Sequence, residues 1–365
     1  MIIADVQSIS LRIPFQTGGK AWELSGQSWN FLDFVLVRVE MDNGIVGWGD
    51  AFAYNCRASV HAAVEQMVAP VVVGQDASDI GRMMLDMQKK LHLFGRYGIT
   101  LFALSGLDIA LWDAAGKAAG QPLCRLLGGQ VRDDIPGYAS LFNYGDPEIV
   151  AAKTRQSVDE GYGYVKLHET AVAEVAAARD AAGGDVPIMV DTNCPWTFEE
   201  ARRMALAFDD FDIHWLEEPI FPPEDYPALA RLRAETGVPL ASGENACTAF
   251  QFRDMINAGA VDYVQPSVTK VGGVTELRKV AVLAETGGVS LMPHAPYFGP
   301  GFLATLHVMA ATPNSGLAEW LYVEREACLY GEPIRPTRGN FTVPDGPGLG
   351  IDPDADVIKD YGVDD

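Results

Sequence analysis

Cysteine is scarce and scattered in this 365-residue chain. The five residues, Cys56, Cys124, Cys194, Cys247 and Cys328, are odd in number and include no C-x-x-C pair. That argues against a zinc ribbon, a thioredoxin-like motif or a disulfide framework, and fits a reduced, cytoplasmic setting. Basic residues are few as well. With 27 Lys and Arg against 49 Asp and Glu, the formal charge of −22 repels nucleic acid and anionic membrane surfaces, and neither is expected as a partner. The opening MIIADVQSISLRIPF alternates like a strand and lacks the basic stretch and apolar core of a secretory signal. No apolar stretch of membrane-spanning length is expected.

What is present is a chain with 48% hydrophobic residues, enough for a large core, and a length that fits a barrel of about 250 residues plus one smaller domain. Residues 1–130 read as strands followed by helices, which suits an α+β domain. In FVLVRVEMDNGIVGWGDAF two β-rich runs flank Asp42-Asn43-Gly44, and the Asn-Gly pair supplies the positive φ angles of a tight hairpin. The polar segment before it carries Trp22 and Trp29, candidates for a lid or for packed tryptophans. ITLFALSGLDIALWDAAG, Ile99 to Gly116, has helical spacing and reads as a buried helix. Its Asp108 and Asp113 are expected at the helix surface or in capping roles.

From about Ile135 strand and helix alternate regularly, which predicts a parallel sheet with crossover helices. Seven side chains close or follow the apolar runs: Lys166, Asp191, Glu217, Glu244, Ser267, His294 and Glu319, spaced by 25, 26, 27, 23, 27 and 25 residues. That spacing is one βα unit, so the chain is expected to fold as a (β/α)8 barrel whose strand ends bring these residues to one face. We expect the barrel over 131–325 and a segment over 326–365, rich in Gly, Pro and Asp, returning to the first domain.

Three carboxylates on consecutive strands repel one another unless protons or a cation neutralise them. All-oxygen ligation by Asp191, Glu217 and Glu244 suits a hard divalent ion, Mg2+ or Mn2+. Lys166 and His168 flank the carboxylates on one side, and Ser267, Lys270 and His294 on the other. That layout suits removal of a proton α to a metal-bound carboxylate, with a Lys or His as base. Lys166 and His168 alternate along a strand and share a face. Asn193 is a candidate substrate donor. Glu319 is a candidate either to hydrogen-bond the developing enediolate or to orient a neighbour. Lys270 is expected in a supporting role.

The segments ALSGLDIALWDAAGKAAGQPLCRLLGG, YVKLHE, IMVDTN, WLEEP, SGEN, TKVGGVTE, MPH and AATPNSGLAEW, in this order and spacing, resemble the enolase superfamily, in its mandelate racemase and muconate-lactonizing enzyme branch, over essentially the whole chain. The resemblance implies an α+β cap built from both chain ends over a modified (β/α)8 barrel, with capping loops closing over the substrate near Trp22, Trp29, Phe52 and Tyr54. It implies one Mg2+ held by Asp191, Glu217 and Glu244, with Glu218 behind them, and Asn193 and Glu319 near the substrate carboxylate or enediolate. A Lys or His base working with Mg2+ is the superfamily's chemistry.

Two departures set this chain apart. The second-strand Lys-x-Lys appears as Lys166-Leu167-His168, placing a histidine where the catalytic lysine stands. With an ordinary pKa near ~6.5, a histidine accepts a proton at neutral pH without the depression a lysine needs. The Asp that partners the seventh-strand His is Ser267 here, which can fix a tautomer of His294 but cannot stabilise imidazolium as an anion does. The expected activity is a Mg2+-dependent lyase dehydrating a sugar acid, in carbohydrate-acid catabolism. An epimerase, racemase or cycloisomerase of a carboxylate substrate is the alternative, and a non-catalytic carboxylate-binding protein a third. Lys166, His168 and His294 are the expected catalytic residues; Asn193, Glu319, Ser267, Trp22 and Tyr54 are expected to bind substrate. A homo-oligomer is expected.

Overall fold

The computed structural model describes residues 1–19, 22–24, 27–295, 298–331 and 334–365, with backbone only at 22–24 and 27. Eight short strands alternate with helices: Asp134–Ser140, Val165–Leu167, Ile188–Asp191, Ile213–Glu217, Leu240–Ser242, Tyr263–Val264, Ser290–Leu291 and Ala318–Leu321. Each pairs in parallel with the next from the first to the seventh. The eighth pairs in parallel with the first, Ala318 opposite Gly137 through Leu321 opposite Ser140. A bridge between Leu291 and Ser315 joins the remaining edges. The sheet thus curls into a parallel eight-stranded barrel, and every carboxyl end points to one rim. Tyr138, Met189, Trp215, Ala241, Met292 and Leu317 pack its interior below that rim. Burying a large apolar side chain in this way contributes about 1.5–3 kcal/mol.

The N-terminal region forms an antiparallel sheet of Ile3–Gln16, Phe31–Met41 and Val46–Ala51, with the hairpin closed at Gly44, φ +82°. Helix Ile99–Ala119 lies against that sheet, its last turn ended by Gly120 at φ +62°. The approach is close: a Cβ on Gly49 would stand 2.0 Å from the carbonyl oxygen of Gly106. At 21 residues this helix is long and apolar enough to cross a membrane, which corrects the expectation that no apolar stretch reaches that length. It is buried between the cap sheet and the barrel helices, so its apolar surface is already covered by protein.

Asp108 and Asp113 on the same helix are 0% and 1% exposed, which corrects the surface alternative, while the capping alternative agrees with what Asp108 does. Asp108 accepts from Thr275 N at 2.9 Å, at the start of helix Gly273–Gly287. Asp113 accepts from Trp48 N, Lys117 Nζ and Leu349 N at 2.7–2.8 Å, tying the cap sheet, the helix and the C-terminal segment together. That C-terminal segment touches both parts of the molecule. Just before it, Glu324–Arg325 pairs with the end of the first strand; within it, Glu326 N donates to Pro14 O, Asn340–Thr342 pairs with Asp134–Pro136 of the barrel, and Val363 N donates to Ser10 O.

Candidate active site

The seven side chains picked out by spacing all reach the rim, but not at equivalent positions. Asp191 and Glu217 end their strands, Lys166 is central in Val165–Leu167, and Glu244, Ser267 and His294 lie just beyond strand ends. Glu319, expected to close or follow an apolar run, is instead the second residue of the eighth strand. His168, Asn193, Glu244, Lys270, His294 and Glu319 line one cavity of about 820 Å³. Lys166, Asp191, Glu217 and Ser267 are buried against those groups.

Carboxylate oxygens of Asp191, Glu217 and Glu244 lie within 4.8 Å of one another. Asn193 N donates to Asp191 Oδ1 at 3.0 Å and Trp215 Nε1 to Glu217 Oε2 at 2.9 Å, fixing both carboxylates. Burial and the adjacent Asp191 push the Glu217 pKa well up. Burial acts the same way on Asp191, but Lys166 and His168 outweigh it and hold that carboxyl below its usual range. Glu244 is likewise drawn down, against burial, by His294 and Lys270. The site therefore cannot carry three negative charges on its own electrostatics. A hard dication would resolve the conflict, and the all-oxygen donor set fits Mg2+ or Mn2+.

Lys166 Nζ contacts Glu319 Oε1 at 2.7 Å, Glu217 Oε1 at 2.9 Å and Asp191 Oδ2 at 3.2 Å. Burial disfavours the ammonium, yet these carboxylates raise its pKa well above the ordinary value and keep it a cation. His168 Nδ1 lies 2.6 Å from Leu141 O, an acceptor, so Nδ1 carries the proton and Nε2 faces the site, 3.3 Å from Asp191 Oδ2. Burial lowers the His168 pKa, but Asp191 and the Leu141 carbonyl outweigh it and the net direction is up. On the other side, Ser267 Oγ lies 2.6 Å from His294 Nδ1, leaving Nε2 3.0 Å from Glu244 Oε2 and 3.9 Å from Glu319 Oε2. Glu319 also accepts from Ser140 Oγ at 2.8 Å and Ala295 N at 3.2 Å. Among the described residues its partners are donors or cations; burial raises its pKa, but Lys166 and His294 outweigh that and the net direction is down.

The cap covers this charged floor with aromatic rings. Trp29 packs against Tyr54 at 5.0 Å and Phe142 at 5.2 Å, and Tyr54 against Phe52 at 5.1 Å. Tyr54 lines the cavity, whereas the side chain of Trp22 lies outside the described residues. Several groups escaped the sequence reading. Trp215 stands two residues before Glu217 on one strand, a period-2 signal that was available. Phe142 and Asn143 follow the first barrel strand, which one more step of about 25 residues back from Lys166 reaches. Asn245 donates to both oxygens of Glu218 at 3.1 Å and accepts from Lys270 Nζ at 3.1 Å, a contact that no spacing announces.

A parallel barrel under an α+β cap, with three converging carboxylates flanked by Lys and His, is the architecture of the enolase superfamily. Residues 14–128 match the mandelate racemase / muconate lactonizing enzyme N-terminal domain, and residues 149–357 match the enolase C-terminal domain-like family. The chain belongs to the mandelate racemase and muconate-lactonizing enzyme branch of that superfamily. It is 34% identical to a D-galactarolactone cycloisomerase of Agrobacterium fabrum over 90% of each chain. It is 33% identical to an arabinonate dehydratase of Saccharolobus solfataricus, over 93% of this chain and 94% of that one. Among solved structures it superposes with a TM-score of 0.88 on a Streptomyces coelicolor A3(2) racemase with bound magnesium, at 30% identity, covering 99% of this chain and 100% of that one.

Proposed function

We propose that the protein is a Mg2+-dependent enzyme that removes the proton α to the carboxylate of a sugar acid and dehydrates it. The observation that carries this reading is one oxygen triad with a histidine Nε2 beside each outer member, His168 3.3 Å from Asp191 and His294 3.0 Å from Glu244. Asp191, Glu217 and Glu244 would hold the metal, which when bound stabilises the negative charge that develops on the substrate carboxylate. Lys166, kept cationic, binds that carboxylate. His168 takes the α-proton at Nε2, because its Nδ1 proton is committed to Leu141 O. His294, whose Nδ1 meets a neutral hydroxyl, presents Nε2 as the acid that helps the β-hydroxyl leave. Glu319 orients Lys166 and supplies near His294 the negative charge that Ser267 lacks. Asn193 and Tyr54 contact the substrate. In this proposal residues 1–130 and 326–365 form the cap over the barrel of 131–325. Cycloisomerisation is the second reading. It is favoured by the aromatic wall of Trp29, Phe52 and Tyr54, which suits the C–H face of a ring, and by the likeness to a cycloisomerase.

Both readings require α-proton exchange, which NMR in deuterium oxide detects across a panel of sugar acids and lactones with and without EDTA. His168→Asn is expected to lower exchange by about a hundredfold or more while leaving Mg2+ affinity near wild type. Full exchange in that variant would remove His168 from the mechanism. Loss of a water molecule from the product, or an isomer of unchanged mass, then separates dehydration from cycloisomerisation.

A further inference from the structure

A second cavity of about 430 Å³ lies where the C-terminal segment meets the barrel, lined by Lys153, Gln156, Tyr162, Arg325 and Arg335 among others. Arg325 is its distinctive member. The guanidinium lies 3.7 Å from the ring centre of Phe298 and 4.8 Å from that of Trp320, which engages its π-face. Stacking leaves the in-plane N–H donors to be satisfied separately, and a guanidinium has five. Among the described residues they meet one weak acceptor, Cys328 Sγ at 3.6 Å, and no carboxylate within 4.0 Å. None of the guanidinium nitrogens is sealed from solvent without a partner, so the remaining donors open toward the cavity.

The surrounding charge points the same way. Among the described residues the lining carries Lys153, Arg325 and Arg335 together with Glu160 and Glu324, in a chain of net charge −22. Glu160 is engaged by Gln156 Nε2 at 3.0 Å. Burial draws the Arg325 pKa down, the Cys328 sulfur offsets part of that, and Arg335 adds to the lowering. A planar donor fork held rigid by two rings is the geometry that recognises an oxyanion through paired hydrogen bonds.

We propose that this cavity is an anion-binding site separate from the reaction pocket, in which Arg325 holds a compact oxyanion, a phosphate or a carboxylate. Phe298 and Trp320 carry the site's rigidity. Trp320 directly follows Glu319 on the eighth strand, so the two side chains point to opposite faces of that strand, one toward this cavity and one toward the reaction pocket.

The test is calorimetric titration of the full-length protein with inorganic phosphate and, separately, with acetate, comparing wild type with Arg325→Gln. Wild type is expected to bind at least one of the two saturably, and Arg325→Gln to raise that Kd by about tenfold or more, the usual consequence of removing one partner of a buried charge-assisted pair. Binding of phosphate alone or of acetate alone each supports the site and identifies its source of ligand. Arg335→Gln, on the rim, is expected to weaken the same binding by fewer fold while leaving the stacked guanidinium in place. It also serves if Arg325→Gln does not fold. Undetectable binding of both anions by wild type, or an unchanged Kd in folded Arg325→Gln or, where that variant fails, in Arg335→Gln, overturns the proposal.

Discussion

Two groups of largely buried carboxylates, one at the barrel rim and one on a cap helix, differ in what they face. At the rim, Asp191, Glu217 and Glu244 converge on one another, meet Lys166, His168 and His294, and open onto a cavity. Along helix Ile99–Ala119, Asp108 and Asp113 are just as buried, yet each faces backbone N–H groups, and Asp113 a lysine one turn away. Burial alone therefore does not mark function. A carboxylate satisfied by backbone donors holds elements together, whereas carboxylates that face each other store an electrostatic conflict that a metal and substrate can resolve.

The largest effect that would sharpen this contrast is expected from Asp191→Asn. Loss of one triad member should reduce α-proton exchange by on the order of a thousandfold while the folded state survives chemical denaturation as before. Retained exchange would dissolve the distinction between the two groups.

Asp113→Ala should do the reverse. It strands two backbone N–H groups and, among the described residues, leaves Lys117 only Val46 O and Asp352, and is expected to lower stability by about 3 kcal/mol in urea denaturation, with Mg2+ binding by the remaining folded protein unchanged. A stability within error of wild type would show the three-way tie to be dispensable.

Asp108 offers a test by pH. Burial raises its pKa from 3.8 to about 7, opposed by the Thr275 hydrogen bonds, and its Oδ2 has no hydrogen-bond partner among the described residues. The folded state thus holds this proton more tightly than the unfolded chain. Its contribution to stability is complete below about pH 4 and is lost as pH rises through about 7. Asp108→Asn keeps an acceptor for Thr275 N without the charge. Relative to wild type it should gain stability between pH 4 and pH 8 by an amount on the order of 4 kcal/mol at most. An equal difference at both pH values would mean the carboxylate is ionised in the fold throughout.

The smallest effect is expected at an exposed acid belonging to neither group. Glu200 closes a capping box with Thr197 at the start of helix Phe198–Asp209. Glu200→Ala should lower stability in urea denaturation by the least of these changes and leave exchange untouched.

The barrel and its rim were legible because a βα unit repeats. Once strand, loop and helix recur about every 25 residues, polar groups at that interval must reach the same face, and the (β/α)8 reading of Lys166 through Glu319 follows from spacing. The cap hairpin at Asn43-Gly44 was legible for a similarly local reason, since its turn chemistry lies within two residues. A surface place for Asp108 and Asp113 was the wrong alternative, because helical periodicity gives the face a residue occupies and not what covers that face. The neighbours that bury them, Thr275 and Leu349, lie 167 and 236 positions away.

Sequence by itself determined which side chains share the rim, their all-oxygen character and the substitutions His168 and Ser267, because these depend on residue type and a repeating local geometry. Tertiary structure alone decided the pairings: Lys166 between Glu217 and Glu319, Ser267 against His294, Trp215 behind Glu217, and Trp29 over Phe142. Those contacts are set by side-chain reach and by the closure of strands and cap around one space. Such distances of a few ångströms exist only once the chain has folded.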